Sequence, residues 1–260
     1  MIRFGFRYLN FGFFKIDMGL YPRMQFFNMG DRCLLLEFGD EISREINEKV
    51  RRMAFAIQSE QIQGILETVP TYRSLLVLYN SLLLSVKDLK NKLGLMEEEL
   101  QQSPFPESKL TRIPVIYGGE YGPDLGHVAE YHHTIPEEII RLHCGRSYLV
   151  YLIGFVPGFP YMGELPEDLV TPRLKTPRLS VPAGSVAIAQ KQTGIYSMKS
   201  PGGWQILGRT PVKMFDPMKD PPAYLQMGDL VQFYPISEKE FEEWDESAEA
   251  PLCRLESLIC

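Results

Sequence analysis

From Arg146 to Lys213, eight basic side chains (Arg146, Arg173, Lys175, Arg178, Lys191, Lys199, Arg209 and Lys213) stand against three acids, in a chain whose net charge is −6. Between Gly154 and Pro211 lie eight glycines and eight prolines. Glycine lets the backbone approach a ligand or take positive φ, and proline fixes the shape of a loop. A guanidinium set in such a loop can hold a carboxylate or a phosphate through two parallel hydrogen bonds. Arg178 in TPRLSVPAGS and Arg209 in ILGRTP are the expected anion ligands. All four histidines, His127, His132, His133 and His143, fall in one short stretch. They lack HExxH spacing and no cysteine pair joins them, so no metal is expected. His143 lies near the end of an expected helix, where the dipole favours the protonated ring, and is the candidate general acid or base. A hydrogen-bonded structural histidine is the plain alternative. Cys144 points about 100° away from its neighbour on a helix, so the two do not make a nucleophile–base pair. Ser185 sits in AGSVA rather than a GxSxG elbow. With no Walker A motif and no Rossmann glycine signature, any use of ATP implies that a partner contributes much of its site.

The elements that must position these residues fall into two units, an α+β arrangement. Residues 24–102 form the first. Cys33–Phe38 reads as a buried strand, and Ile42, Ile46, Val50, Met53, Ala54 and Ile57 recur at helical spacing. Arg73–Tyr79 is a second strand, and Ser85 with Asp88 starts a second helix striped by Val86, Leu89, Leu93, Met96 and Leu100. The order β-α-β-α predicts a small α/β sandwich. The polar, proline-containing stretch that follows places a linker at residues 103–111. The second unit, 112–237, opens on a strand at Arg112–Tyr117. Asp124–Tyr131 is a short helix, and Thr134 with Glu137 makes a capping box for another that stops at Gly145. Strands Leu149–Phe155, Ser185–Ala189 and Leu230–Tyr234 then alternate with Gly/Pro loops, which predicts a closed or partly closed β-barrel. Residues 1–23, aromatic and basic but broken by charges and glycines, are expected to be an extension, with an added edge strand as the alternative. Residues 238–260 are an acidic tail.

The 260 residues, 45% hydrophobic and 23% charged, suit one large domain or two modest ones. No window reaches the roughly 20 apolar residues of a membrane span. The acidic tail accounts for the net charge and leaves a near-neutral body, so neither nucleic acid nor a membrane is an expected partner. Cys33, Cys144, Cys253 and Cys260 form no CxxC pair and no secretion signal is evident, which points to reduced thiols in the cytoplasm.

Six segments, MGDRCLLLEFGDEIS, GILETVPTYRSLLVLY, YGPDLGHVA, IGFVPGFPYMGELP, TPRLSVPAGSVAIAQKQTGIY and SPGGWQILGRTP, resemble in order and spacing the signature blocks of the PxpB/KipI family (the B component of 5-oxoprolinase, allophanate hydrolase subunit 1). The resemblance runs from about Met24 to Ser237. It implies an α/β domain followed by a cyclophilin-like β-barrel. It also implies a subunit of an ATP-dependent complex, with PxpA-like and PxpC-like partners, that opens 5-oxo-L-proline to L-glutamate. Other members inhibit a sporulation histidine kinase, and related domains serve allophanate and urea carboxyltransferases. On this resemblance Arg178 and Arg209 bind anions, His143 is the acid or base, Gln192 and Tyr196 orient the ring amide, and Trp204 is an apolar wall.

Overall fold

Alternate burial along a strand commits one face to a core, and Cys33–Gly39 and Ser74–Tyr79 both bury every second residue. In the computed structural model, which describes residues 19–100 and 105–244, these two strands form the centre of the first sheet. The N-terminal unit consists of β1 (Leu20–Asn28), β2 (Cys33–Gly39), α1 (Arg44–Glu60), β3 (Ile65–Pro70), β4 (Ser74–Tyr79) and α2 (Val86–Glu99). Its sheet has the order β1-β2-β4-β3 and is antiparallel throughout. Leu34, Leu36, Leu75 and Val77 meet Ile46, Val50 and Met53 of α1 and Leu89 and Leu93 of α2 in one core. Ser43 and Ser85 cap the two helices by accepting from the Ile46 and Asp88 backbone amides.

The sequence expectation of two strands here is corrected to four. β1 and β3 are the edge strands, half-exposed and without a run of buried apolar residues, so their hydrophobic signal is weak. β1 begins at Leu20, upstream of the position where the domain pattern is legible. Residues 1–18 lie outside the described residues, as do most of the acidic tail and Cys253 and Cys260.

The second unit contains β5 (Leu110–Tyr117), α3 (Leu125–Tyr131), α4 (Pro136–Cys144), β6 (Ser147–Ile153), β7 (Pro160–Gly163), β8 (Arg178–Val181), β9 (Ser185–Ala189), β10 (Gln192–Ile195), β11 (Ser200–Gly202), β12 (Gln205–Arg209), β13 (Leu230–Pro235) and α5 (Glu238–Glu242). Seven strands close a barrel in the order β10-β7-β6-β13-β5-β12-β9. Only the β13–β5 pair is parallel. β8 and β11 pair outside the barrel as a two-stranded ribbon. The expected capping box at Thr134 is not used. Ile135 occupies the cap without a side-chain bond and Pro136 takes the first helical position, where its missing N–H costs nothing. The expected strand Leu149–Phe155 stops at Ile153, because Gly154 and Phe155 turn out of the ladder.

One buried side chain joins the two units. Asn47 of α1 is fully buried, and its Nδ2 donates to the carbonyls of Thr71 and Tyr72 in the β3–β4 turn and of Tyr151 in β6, at 3.3, 3.1 and 3.1 Å. That bond fixes where the β3–β4 turn lies against the barrel.

Candidate functional site

His143 lies inside the barrel, fully buried, with its ring stacked on Phe233 at 4.5 Å. Thr193 donates its hydroxyl proton to the Ala187 carbonyl at 3.2 Å, so at 3.0 Å it accepts from His143 Nε2–H. Nδ1 then carries no proton and accepts from the Tyr117 hydroxyl at 2.7 Å. Tyr117 oxygen in turn lies 3.4 Å from Cys144 Sγ. Every valence of the imidazole is used internally. Burial lowers its pKa to about 3, because a charged ring there would lose its hydration without gaining a counter-ion. This reverses the sequence expectation of a protonated ring favoured by the helix end: removal from water outweighs the dipole. No nitrogen of His143 is left to exchange a proton with a ligand.

Arg178 is ion-paired, whereas Arg209 is anchored through Nε alone and forms no ion pair among the described residues. Arg178 Nη2 forms an ion pair with Asp124 at 2.6 Å, and Nη1 donates to the Trp204 carbonyl at 3.4 Å. The other oxygen of Asp124 accepts from the Ile206 amide at 2.6 Å, which ties α3 and the ribbon to β12. Arg209 Nε donates to the Ala183 carbonyl at 2.9 Å and braces the turn at Gly184, whose φ of +81° suits glycine. Tyr196 is buried under Gly202 and Trp204, and a Cβ at Gly202 would collide with its hydroxyl. It supports the loop from beneath.

Another arrangement lies elsewhere, a row of rings that crosses the junction of the two units, buried at Trp204 and Tyr151 and half-buried at Tyr161 and Tyr72. Trp204 meets Tyr161 at 5.8 Å, Tyr161 meets Tyr72 at 6.1 Å, and Tyr72 meets Tyr151 at 5.9 Å. Tyr72 comes from the β3–β4 turn, and its hydroxyl accepts from Gln192 Nε2 of β10. Burial pushes the Tyr72 phenol up to about 12, so it stays protonated and neutral. At the Trp204 end the Arg173 guanidinium lies 5.8 Å from the indole centroid and, among the described residues, forms no ion pair. At the Tyr151 end a cavity of about 440 Å³ opens between Ile42 and the barrel, lined by Arg146, Tyr151, Glu164, Lys191 and Gln192 among others. There Tyr151 donates to Glu164 at 3.0 Å and Lys191 pairs with Glu167 at 2.6 Å, while Arg146 forms no ion pair among the described residues. The volume suits a small metabolite. The arrangement can hold a carboxylate on a free guanidinium and a flat amide against rings, with Gln192 as a hydrogen-bond partner.

A larger cleft, about 900 Å³, lies where Phe105–Ser108 cross α1. Its cation, Arg51, stacks on Phe105 at 5.0 Å and forms no ion pair among the described residues, and its buried Nε has no hydrogen-bond partner, so this cleft also holds an unpaired guanidinium. Among the described residues no cluster of three or more His, Cys, Asp or Glu could hold a metal ion, and no helix is long and apolar enough to cross a membrane.

Residues 24–225 match the model of the carboxyltransferase domain, subdomains C and D. The B component of the Bacillus subtilis 5-oxoprolinase is 38% identical over 240 residues, 87% of this chain and 98% of the relative. The chain belongs to the family of 5-oxoprolinase B components. The Haemophilus influenzae B component is 47% identical over 188 residues, 72% of this chain and 87% of the relative. Among solved structures, TTHA0988 matches with a TM-score of 0.71 and 37% identity over 79% of this chain, which accounts for 40% of that longer chain. The urea carboxylase of Kluyveromyces lactis, 22% identical with a TM-score of 0.67 over 86% of this chain, shares the fold.

In this member of the 5-oxoprolinase family, Gln192 and Trp204, expected from the resemblance, lie in this candidate arrangement together with Tyr72, Tyr151 and Tyr161, which no sequence signal marks. The charge count had included Arg146 and Arg173 without singling them out. Tyr72 belongs to the other unit, and the Asn47 bond to its carbonyl, with the ring contacts to Tyr151 and Tyr161, holds it against Gln192. The missed signal for Arg173 was its place just before the ribbon, in a loop with no acid from Val170 to Val181.

Proposed function

We propose that this chain is a subunit of an ATP-dependent 5-oxoprolinase that opens 5-oxo-L-proline to L-glutamate, and that it works only when assembled with PxpA-like and PxpC-like subunits. The observation that carries this reading is the likeness to the B component across nearly the whole of the Bacillus subtilis relative. The geometry suits the substrate, a small planar lactam bearing one carboxylate. Arg173 or Arg146 takes the carboxylate through charge-assisted hydrogen bonds. Gln192, held by Tyr72, addresses the ring amide, and Trp204 and Tyr161 form the apolar wall. Arg178 acts indirectly, by holding Asp124 and the ribbon in place. His143 is structural. The ATP phosphates are shared with, or bound by, the partner subunits. Arg146 and Lys191 at the cavity are the side chains of this chain suited to meet phosphate oxygens.

A site shared between subunits draws its rate from orienting groups of several chains at once, so removal of any subunit costs orders of magnitude. The test is to measure ATP-dependent glutamate release from 5-oxoproline with the chain alone and with its partners. Turnover only in the complete set is expected. Full turnover by the single chain, tight inhibition of a histidine kinase without lactam turnover, or carboxylation of urea instead would overturn the reading.

A further inference from the structure

Phe155 is held in a conformation that its residue type resists. The Val156 amide donates to the Gly154 carbonyl at 2.9 Å across a three-residue turn, and Phe155 at its centre has φ +67°. A γ-turn with positive φ at the central residue is rare and strained, and glycine would adopt it freely. The surrounding bonds make the turn rigid: the Gly154 amide donates to the Phe159 carbonyl at 3.0 Å, the Phe159 amide to the Val156 carbonyl at 3.1 Å, and Ser197 Oγ to the Pro157 carbonyl at 2.6 Å. The fold thus accepts backbone strain to hold a phenyl ring that remains 66% exposed and meets Phe159 edge-on at 6.0 Å. Burial within the chain does not explain it.

A second apolar side chain stands out on the ribbon whose Val181 packs in the cluster of Phe159. Leu179, 94% exposed, projects from the β8–β11 ribbon between Arg178, locked to Asp124, and Val181, buried in the same cluster as Phe159. Neither Phe155 nor Leu179 lines the 440 Å³ cavity. The flanking exposed charges are positive: Arg173 and Lys175 lead into β8 and Lys199 precedes β11, and none of the three forms an ion pair among the described residues. In TTHA0988 the matching unit makes up 40% of one chain, so in that relative a different polypeptide segment is joined to it.

We infer that Phe155 and Leu179 are the anchors by which a partner subunit, presenting an acidic surface with an apolar recess, docks over the open end of the ring row beside Arg173. This rests on the reading that the chain works within a multisubunit 5-oxoprolinase. Preformed aromatic anchors are the typical centres of binding energy in an interface, and a complementary charged rim speeds and orients the encounter.

Phe155→Gly separates docking from folding, because glycine relieves the turn while removing the anchor. The isolated Phe155→Gly chain is expected to unfold at the same temperature as the wild type or higher, and Leu179→Ser at the same temperature. Each is expected to raise the Kd for the other 5-oxoprolinase subunits, measured by titration calorimetry, by roughly tenfold or more. Lys175→Glu with Lys199→Glu is expected to slow association and to reduce its dependence on salt. If the wild-type chain assembles and both apolar variants assemble equally well, the docking inference is overturned and the functional reading stands. If the wild-type chain assembles with no partner, the functional reading itself fails. An unchanged Kd for the partners with a raised KM for 5-oxoproline in the Phe155→Gly complex would make Phe155 a substrate contact and also overturns docking. Binding of both variants to a second copy of this chain, rather than to other subunits, does the same.

Discussion

The barrel interior around His143 and the junction around Gln192 hold the same kinds of residue in opposite states. Around His143, the phenol, imidazole, hydroxyl and carbonyl groups close on one another and charge is excluded. Around Gln192, half-buried rings and an amide border a cavity, and two guanidiniums nearby form no ion pair among the described residues. A residue type that can do chemistry is therefore a poor guide by itself. The balance between satisfied and free valences decides, and it is set by what the neighbouring chain segments supply. In this molecule the most suggestive single residue of the sequence lies in a closed hydrogen-bond network, and a tyrosine from the other unit lies against Gln192 in the candidate site.

The sharpest way to break this contrast is His143→Ala. It leaves Tyr117 and Thr193 without their partner and opens a cavity beside Phe233, so a loss of about 3 kcal/mol or more is expected in urea unfolding. Turnover per folded, assembled molecule should persist. Normal stability with abolished turnover would move the site into the barrel interior.

The opposite pattern is expected of the free cations. Arg173→Ala or Arg146→Ala should weaken 5-oxoproline binding by roughly 1.5–3 kcal/mol, as for a lost charge-assisted bond, and shift stability by no more than about 0.5 kcal/mol. Arg178→Ala should do the reverse, lowering the unfolding midpoint by leaving the mostly buried Asp124 carboxylate unpaired. If Arg178→Ala alone reduces ligand affinity, the anion site is the one expected from the sequence.

pH sharpens the comparison further. The His143 pKa falls from an ordinary 6.5 to about 3 in the folded chain. A depressed histidine is neutral in the fold but takes up a proton when unfolded below about pH 6.5. Its contribution is therefore fully present above that pH and is lost progressively as pH falls towards 3. At pH 5 the loss is about 2 kcal/mol. In His143→Gln this part of the pH dependence between pH 6.5 and 4 should vanish; an unchanged slope would mean that other groups carry it.

The smallest expected effect belongs to Tyr72→Phe. It removes the acceptor of Gln192 without disturbing the ring row, so lactam affinity should fall by about 1 kcal/mol and thermal stability should hardly change. A large fall in stability would make the contact a joint between the units and nothing more.

Much of the fold was legible in the sequence because it depends on local pattern. The buried strands Cys33–Gly39, Ser74–Tyr79 and Ser185–Ala189, the serine cap at Ser85, and the Gly/Pro texture of the barrel all follow from period, capping chemistry and backbone restriction. The edge strands β1 and β3 did not, since an edge needs little burial. For the candidate site, the sequence by itself determined the basic, loop-rich segment, and the family resemblance proposed Gln192, Tyr196 and Trp204 within it. Only the tertiary structure decided which cations are free. Asp124, 54 residues from Arg178 along the chain, neutralises it, and Asn47, 104 residues from Tyr151, brings Tyr72 to Gln192. Pairing and burial are long-range properties: a side chain's charge is written at its own position, but its availability depends on residues that only folding brings within hydrogen-bond distance.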